Sequence, residues 1–433
     1  MKLTKYCSAT KLNDFPELTV LLTFLEQGMM ILPTSKIDKL FSGELNVLTE
    51  YEQKKLQEIG ALIPDSLDEV SKIAYYYSKI PYSNSIGKLT VLTTYDCNLK
   101  CYYCLQNPLT LIHTFDNQYD SFLVWLLRWI TDNCLSEVNI EFIGGEPLLN
   151  VDCIRKVCST VIKTGVKFKA SLITNGLLLT DEIIKELAIL GLRSVQLTFD
   201  GPKELHDKVK FCSEFSCYDH NKELIKKLKD RNIKVDIRIN FLKGDYATAI
   251  ATAKSLVDIE EKRDITMYFS EIFGLDTSSC AYNYESEVEI KKKSELLKLV
   301  KSLGFSVPYP LGSILCKAES DVNFVITPNL DIYKCYLLVG NESQKIGSIV
   351  DGRLDVMNFS PLIRTLRTEC EECYLLPICK GGCRANNILN STTNQRALCG
   401  KSIIETVLAE FLTTFYESIF SAQIKKFYEN LAK

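Results

Sequence analysis

Leu92 to Gln106 read L-T-T-Y-D-C-N-L-K-C-Y-Y-C-L-Q, and the fold hangs on this stretch. It holds Cys97, Cys101 and Cys104 in the spacing C-x3-C-x2-C, directly after Leu89 to Thr94, which has the residue pattern of a strand. Three thiolates in one eight-residue loop suit one face of a cubic iron–sulfur cluster. A closed [4Fe–4S] cluster takes four cysteine ligands, so three leave one iron open to a small molecule. Taken alone, the loop also suits a zinc knuckle or a group of buried thiols. The surrounding sequence decides between them.

Seventeen cysteines in 433 residues stand out. Met1 to Thr10 lacks the apolar core of a signal peptide, and the apolar run Leu18–Leu25 is cut short by Glu26 and Gln27. Neither export nor a membrane span is expected, and the expected compartment is the cytoplasm. Thiols stay reduced there, which turns the cysteines toward metal or redox chemistry. His113, His206 and His220 are too few for a Cys/His zinc enzyme. A formal net charge of -3 gives no footprint for nucleic acid or a membrane surface. The length and 46% apolar content suffice for two or three domains.

Residues 1–87 read as a first unit. Leu18–Leu25 and Met29–Leu32 flank Gln27-Gly28 as a hairpin, and Ser35–Leu40, Thr49–Ile63 and Leu67–Tyr77 have helical patterns. This is a winged-helix-like composition, fit to hold a peptide on a strand edge or to cap the next domain. Tyr75, Tyr76 and Tyr77 read as packing residues.

From 88 to 305 strand and helix alternate. Strands are predicted at Leu89–Tyr95, Val138–Ile143, Lys169–Thr174, Ser194–Phe199, Val235–Phe241 and Ile265–Phe269. Helices are predicted at Gln118–Asn133, Val151–Lys163, Asp181–Leu190, Asn221–Arg231, Tyr246–Ile259 and Glu287–Leu303. Six β/α repeats predict an α/β fold, a partial (β/α)6 TIM-like barrel, with its chemistry at the carboxyl ends of the strands. Those ends carry Cys97, then Gly144-Gly145-Glu146-Pro147, Thr174-Asn175-Gly176, Thr198-Phe199-Asp200-Gly201, and Arg238 with Asn240.

With these motifs the region from 88 to 305 resembles the radical S-adenosylmethionine (SAM) enzymes. The cysteine loop, with an aromatic Tyr103 before its last cysteine, looks like the family's cluster loop, and Gly144–Pro147 looks like its GGEP motif. The resemblance implies a [4Fe–4S] cluster on Cys97, Cys101 and Cys104, with SAM chelated to the open iron and reductively cleaved to a 5′-deoxyadenosyl radical. Gly144 and Gly145 are expected to let the backbone approach the methionine moiety. Glu146 suits its amino group and Arg238 its carboxylate. Asn175 and Thr198 suit the ribose, and Tyr103 the adenine. The family often has serine at the Thr198 position, and arginine where this chain has Lys210.

Residues 306–400 hold Cys316, Cys335, Cys370, Cys373, Cys379, Cys383 and Cys399. They resemble the SPASM extension, which carries auxiliary iron–sulfur clusters in enzymes that modify peptides or proteins; a zinc ribbon over Cys370–Cys383 is the competing reading. By resemblance, Cys370, Cys373, Cys379 and Cys399 close one cluster. Cys316, Cys335 and Cys383 hold another, one ligand short, because Val322 stands where relatives have an eighth cysteine. Cys280 is a candidate for the missing ligand. Leu330 replaces a glycine of the pattern, and a loosened turn is expected there. Residues 401–433 read as amphipathic helix, with Val407, Leu408, Phe411, Phe415 and Phe420 closing the tail against the barrel.

Anaerobic sulfatase-maturing enzymes share this architecture but carry an aspartate after the second SPASM cysteine, acting as the base. Here that residue is Tyr336, a packing residue or a proton or radical relay. The leading expectation is therefore maturation of a ribosomally made precursor peptide, forming a thioether or carbon–carbon crosslink or another backbone or side-chain modification. The partners would be the precursor with its leader and a reductant such as flavodoxin or ferredoxin. Sulfatase-type protein oxidation, a cofactor-forming radical enzyme and a non-enzymatic iron–sulfur or zinc scaffold are the alternatives.

Overall fold

The computed structural model describes residues 1–13, 15–79, 85–104, 119–272, 287–308, 316–354 and 368–383, with scattered positions between 385 and 412. The N-terminal unit contains β1 (Lys2–Leu3), β2 (Cys7–Lys11), β3 (Leu18–Thr23), β4 (Met29–Pro33), α1 (Thr34–Phe41), α2 (Glu50–Glu58), β5 (Leu62–Ile63) and α3 (Glu69–Lys79). Its main sheet is antiparallel in the order β2-β3-β4, so the expected hairpin gains a third strand. The added strand reads C-S-A-T-K, whose small side chains give only a weak alternation. Thr49 and Glu52 open α2 as a capping box. The helix predicted to reach Ile63 stops at Glu58, because Gly60 takes a left-handed φ of 71° and Leu62–Ile63 turns back to pair with β1. Tyr75 and Tyr76 are exposed to solvent, which corrects their reading as packing residues.

β3 is buried on both faces. Leu21 packs with Leu32, Ile37, Leu40 and Leu56 under α1 and α2. Leu18, Val20, Leu22 and Phe24 pack on Leu375, Ile378, Leu408 and Leu412 of the cysteine-rich tail. A second contact joins Tyr6 and Ile73 to Leu376, and the Tyr6 hydroxyl donates to the Glu371 carbonyl at 3.2 Å. Leu408 and Leu412 therefore close against the N-terminal sheet rather than the barrel. Val407, Phe411, Phe415 and Phe420 lie outside the described residues.

The barrel follows as β6 (Ile86–Leu92), α4 (Tyr119–Asp132), β7 (Glu137–Ile143), α5 (Val151–Lys163), β8 (Lys167–Thr174), α6 (Asp181–Ile189), β9 (Leu192–Phe199), α7 (Lys203–Val209), α8 (Cys217–Lys229), β10 (Lys234–Leu242), α9 (Tyr246–Ser255), β11 (Ile265–Ile272) and α10 (Glu287–Ser302). All but the short α7 correspond to predicted elements. Asn150, Thr180, Ser216 and Asp245 cap α5, α6, α8 and α9 through their side chains. The strands run parallel in the order β11-β10-β9-β8-β7-β6. Parallel strands covered on both faces read as continuous apolar runs. These alternate instead: Val138, Ile140 and Phe142 of β7 enter the core beneath the helices, while Asn139 and Glu141 stay half-buried on the other face. That inner face is a polar lumen.

The sheet does not end at β6. β12 (Asn323–Ile326) lies parallel to it, with Asn323 opposite Lys88. β13 (Asp331–Tyr333), β14 (Gly347–Ser348) and β15 (Arg353–Leu354) extend it to ten strands. The tail thus grows out of the barrel's own sheet. Among the described residues, no helix is long and apolar enough to cross a membrane.

Candidate active site

The loop of Cys97, Cys101 and Cys104 leaves the carboxyl end of β6 and is held from three sides. Gly144 and Gly145 lie under it. A Cβ on Gly144 would meet the Thr94 carbonyl oxygen at 2.4 Å, and one on Gly145 would meet that of Asp96 at 2.1 Å. The N–H of Gly145 donates to Thr94 O at 3.0 Å and that of Glu146 to Asp96 O at 2.8 Å. The glycines expected to admit a ligand's methionine moiety thus admit, in the first place, the backbone entering the cysteine loop.

Glu146 is fully buried. Its carboxylate accepts from Leu148 N–H at 3.1 Å, the Thr174 hydroxyl at 2.7 Å and Asn175 N–H at 2.8 Å. Burial raises its carboxyl above the usual range against these hydrogen bonds. Asn175 reaches the loop directly, its amide donating to Asn98 Oδ1 at 2.7 Å and lying 3.9 Å from Cys97 Sγ. Leu99 N–H also points at Cys97 Sγ, at 3.4 Å. Burial raises the Cys97 thiol and pushes Cys101 up to about 11, with the neighbouring thiols adding to both shifts.

The third side is a buried polar network. The Tyr103 hydroxyl donates to Asp200 Oδ1. Asn240 Nδ2 donates to the same oxygen at 3.0 Å and lies 3.2 Å from the Tyr103 oxygen. Lys210 Nζ sits 3.2 Å from Asp200 Oδ2 and donates to Thr198 O at 2.8 Å. Asp200 N–H donates to His206 Nδ1 at 3.1 Å. Burial works to raise the Asp200 carboxyl, but Lys210, Tyr103, His206 and Asn240 together hold it below the usual range. Tyr103, expected at an adenine, therefore has its hydroxyl committed to the strand ends. Asp200 and Asn240 were legible at those ends but carried no role.

Arg238 faces the lumen beside Thr198 and Tyr268 in register. It donates to Asn240 Oδ1 at 2.9 Å and Ser270 Oγ at 2.7 Å, and it lies near the Tyr336 phenol. Glu141, half-buried on the same lumen, accepts from Thr90 at 3.3 Å. Tyr336 also packs beside Leu92, Tyr95, Val325 and Tyr333. Burial, opposed by Arg238, raises its phenol.

In the tail, Cys370 packs beside Tyr6 and Leu376, and Cys373 and Cys379 border the core shared with the N-terminal sheet. Burial raises the Cys379 thiol against the N–H groups of Gly381 and Gly382, and Cys399 and Cys373 are close enough to add to the shift. Cys335 packs with Leu338 and Ala385, two residues beyond Cys383, and Cys316 acts on neighbouring Lys334. Lys334 was not singled out in the sequence. It is buried and donates to the Asn323 carbonyl at 2.8 Å, and its ammonium lies 4.4 Å from the centre of the Phe324 ring. Val322 is a core residue beneath the sheet, and Cys280 lies outside the described residues. The turn before Cys335 is not loosened. Leu330 itself takes the left-handed conformation (φ 62°), fully buried, with its N–H on Thr327 O at 2.9 Å. Among the described residues, no three Cys, His, Asp or Glu side chains converge as a single-ion site would require.

An α/β barrel with a cysteine loop at its carboxyl rim and a cysteine-rich extension on its first strand defines the class. Residues 91–254 match the model of the Radical SAM superfamily. Residues 91–254 are thus similar to the domain of radical SAM enzymes, which work with SAM and a [4Fe–4S] cluster, and the chain is an enzyme on that likeness. It is 28% identical over 242 residues to a GTP 3′,8-cyclase of Clostridium perfringens strain SM101, covering 54% of this chain and 72% of the relative. It is 26% identical over 333 residues to a cysteine-type anaerobic sulfatase-maturating enzyme of C. perfringens strain ATCC 13124, covering 66% of this chain and 86% of the relative. Among solved structures, Streptococcus suis SuiB bound to precursor peptide SuiA matches with a TM-score of 0.52 at 17% identity, over 89% of this chain and 96% of that one.

Proposed function

We propose that this enzyme modifies a ribosomally made precursor peptide by radical chemistry, forming a thioether or carbon–carbon crosslink. The observation that carries the reading is the N-terminal sheet, which shares one hydrophobic core with Cys373 and Cys379 while the outer edges of β2 and β4 have no partner strand among the described residues. An extended leader can add to such an edge through main-chain hydrogen bonds. The likeness to SuiB, whose structure holds a precursor peptide, supports the same reading.

In this proposal Cys97, Cys101 and Cys104 hold the SAM cluster. Three thiols in one loop, with Leu99 N–H and the Asn175 amide beside Cys97 Sγ, suit an anionic cluster face. Reduced by one electron from an external reductant, that cluster would supply radical chemistry to bound SAM. Glu146 fixes the GGEP loop to the Asn175 loop, and Arg238 with Tyr336 lines the lumen where a substrate side chain would lie. Cys370, Cys373, Cys379 and Cys399 hold one auxiliary cluster, and Cys316, Cys335 and Cys383 hold a second with a site left for a substrate thiolate. Tyr336 in place of a carboxylate weighs against sulfatase-type oxidation. The cofactor-forming alternative draws on the GTP 3′,8-cyclase relatives.

The test is anaerobic reconstitution followed by reduction with SAM. Expected are about twelve irons per chain, three cubane clusters, and 5′-deoxyadenosine. Cys97→Ala/Cys101→Ala/Cys104→Ala should lose one cluster and all 5′-deoxyadenosine. Co-expression with a cysteine-rich peptide encoded beside the enzyme should then give a product lighter by two hydrogens per crosslink. Bound zinc, or undiminished 5′-deoxyadenosine from the triple variant, defeats the assignment. Deleting residues 1–87 is a poor discriminator, because it also uncovers Leu375, Leu376 and Ile378. Proline in the outer edge of β4 is the better probe of leader binding.

A further inference from the structure

We infer that Asn240, with Arg238 as its outer arm, is a positioning residue that ties the segment after Cys335 to the loop of Cys97, Cys101 and Cys104. The inference rests on the reading of that loop as the SAM-binding cluster site.

The connection is direct at each step. The Tyr336 phenol lies near the Arg238 guanidinium, close enough for the cation to act on it. Arg238 Nε donates to Asn240 Oδ1 at 2.9 Å. Asn240 Nδ2 donates to Asp200 Oδ1 at 3.0 Å and lies 3.2 Å from the Tyr103 oxygen. Tyr336 follows Cys335 and Tyr103 precedes Cys104, so the path runs from one cysteine to a cysteine of the other site.

Asn240 can do this in only one orientation. Its amide oxygen faces a cation and its amide nitrogen faces a carboxylate. Flipped, it would set oxygen against Asp200 in a buried contact and N–H against Arg238 in a part-buried one, both repulsive. Asn240 and Asp200 are each 5% exposed, so water cannot easily take their contacts over. Arg238 is directed as well, with a second arm on Ser270 Oγ at 2.7 Å. A fixed planar fork of donors holds such an arrangement, whereas an ammonium on a flexible stem does not fix the directions of its donors. A substrate group that displaces Tyr336 in the lumen would therefore shift Arg238, re-aim Asn240 and loosen Tyr103 beside the cluster loop.

The test uses the full-length, iron-loaded, reduced enzyme titrated with SAM, with the SAM-induced change in the cluster's electron paramagnetic resonance spectrum as the readout. Tyr336→Phe removes one oxygen from the other end of the path. It should keep the wild-type iron content yet raise the SAM concentration for half-saturation about threefold and shift the g-values. Asn240→Leu should raise that concentration about tenfold, the range expected for losing buried hydrogen bonds. Arg238→Lys keeps the charge and should not restore the wild-type spectrum. A purely structural role would lower thermal stability and leave the g-values alone. Wild-type titrations for both Tyr336→Phe and Arg238→Lys would overturn the inference. A SAM-induced change that survives Cys97→Ala/Cys101→Ala/Cys104→Ala would instead overturn the reading beneath it.

Discussion

The loop of Cys97, Cys101 and Cys104 is tied down by polar contacts, through Glu146, Asn175, Asp200 and Asn240. Cys370, Cys373 and Cys379 ride on an apolar bed formed by Val20, Leu22, Phe24, Leu375 and Leu376. Hydrogen bonds are directional and fix how a loop is turned, which suits a site that must aim a small molecule. Apolar packing fixes little rotation but excludes water, and solvent exposure is one of the levers on the potential of an iron–sulfur centre. The two groups of cysteines thus stand on scaffolds of opposite kind.

The largest effect should come from breaking the polar side. Asp200→Ala leaves the ammonium of Lys210, only 3% exposed, without its carboxylate. A cost of about 3–5 kcal/mol in urea unfolding of the anaerobic holoenzyme is expected, with iron lost first from the SAM-loop cluster. Next comes the apolar side. Phe24→Ala opens a cavity against the tail and should cost about 3 kcal/mol, with iron lost from the tail cluster while SAM still perturbs the SAM-loop spectrum. If each variant depletes both sites equally, the contrast between them fails.

Acid sharpens it further. Burial, reinforced by Lys210 and opposed by Asp200 and Asp207, lowers His206 to about 4. The unfolded chain then binds a proton that the folded chain refuses between about pH 6.5 and 4. Stability contributed by neutral His206 should be full above that window and fall by roughly 2–3 kcal/mol as pH drops through it. His206→Asn should flatten this acid limb in a pH series of unfolding midpoints. The smallest effect concerns Leu330, whose left-handed backbone costs about 1–2 kcal/mol. Leu330→Gly should be less destabilising than Leu330→Ala, because glycine relieves that strain and alanine keeps it. The reverse order in thermal unfolding would remove strain from the account.

Much of the barrel was legible because local signals suffice for it. Alternating strands, capping residues such as Thr180 and Asp245, and the glycines before Glu146 all lie within a few residues of what they organise. What escaped depends on partners far along the chain. Nothing near Tyr103 announces Asp200 and Asn240, and nothing near Gly145 says that its neighbour is Asp96 rather than a ligand. Cys7–Lys11 carries only a weak strand pattern of small residues and becomes a strand by pairing with β3. Leu330 keeps the glycine-like turn because its side chain is anchored in the core, a contact that a motif cannot display.

The parallel seam between β6 and β12 bears on the order of events at the ribosome. Lys88 N–H donates to the Asn323 side chain at 3.0 Å across 235 residues of chain. Until those later residues emerge, the barrel's first strand has an open edge, the kind of surface that invites mispairing. The nascent barrel thus waits on residues that belong to its cysteine-rich tail. Separating the two for expression would leave each with an unfinished sheet.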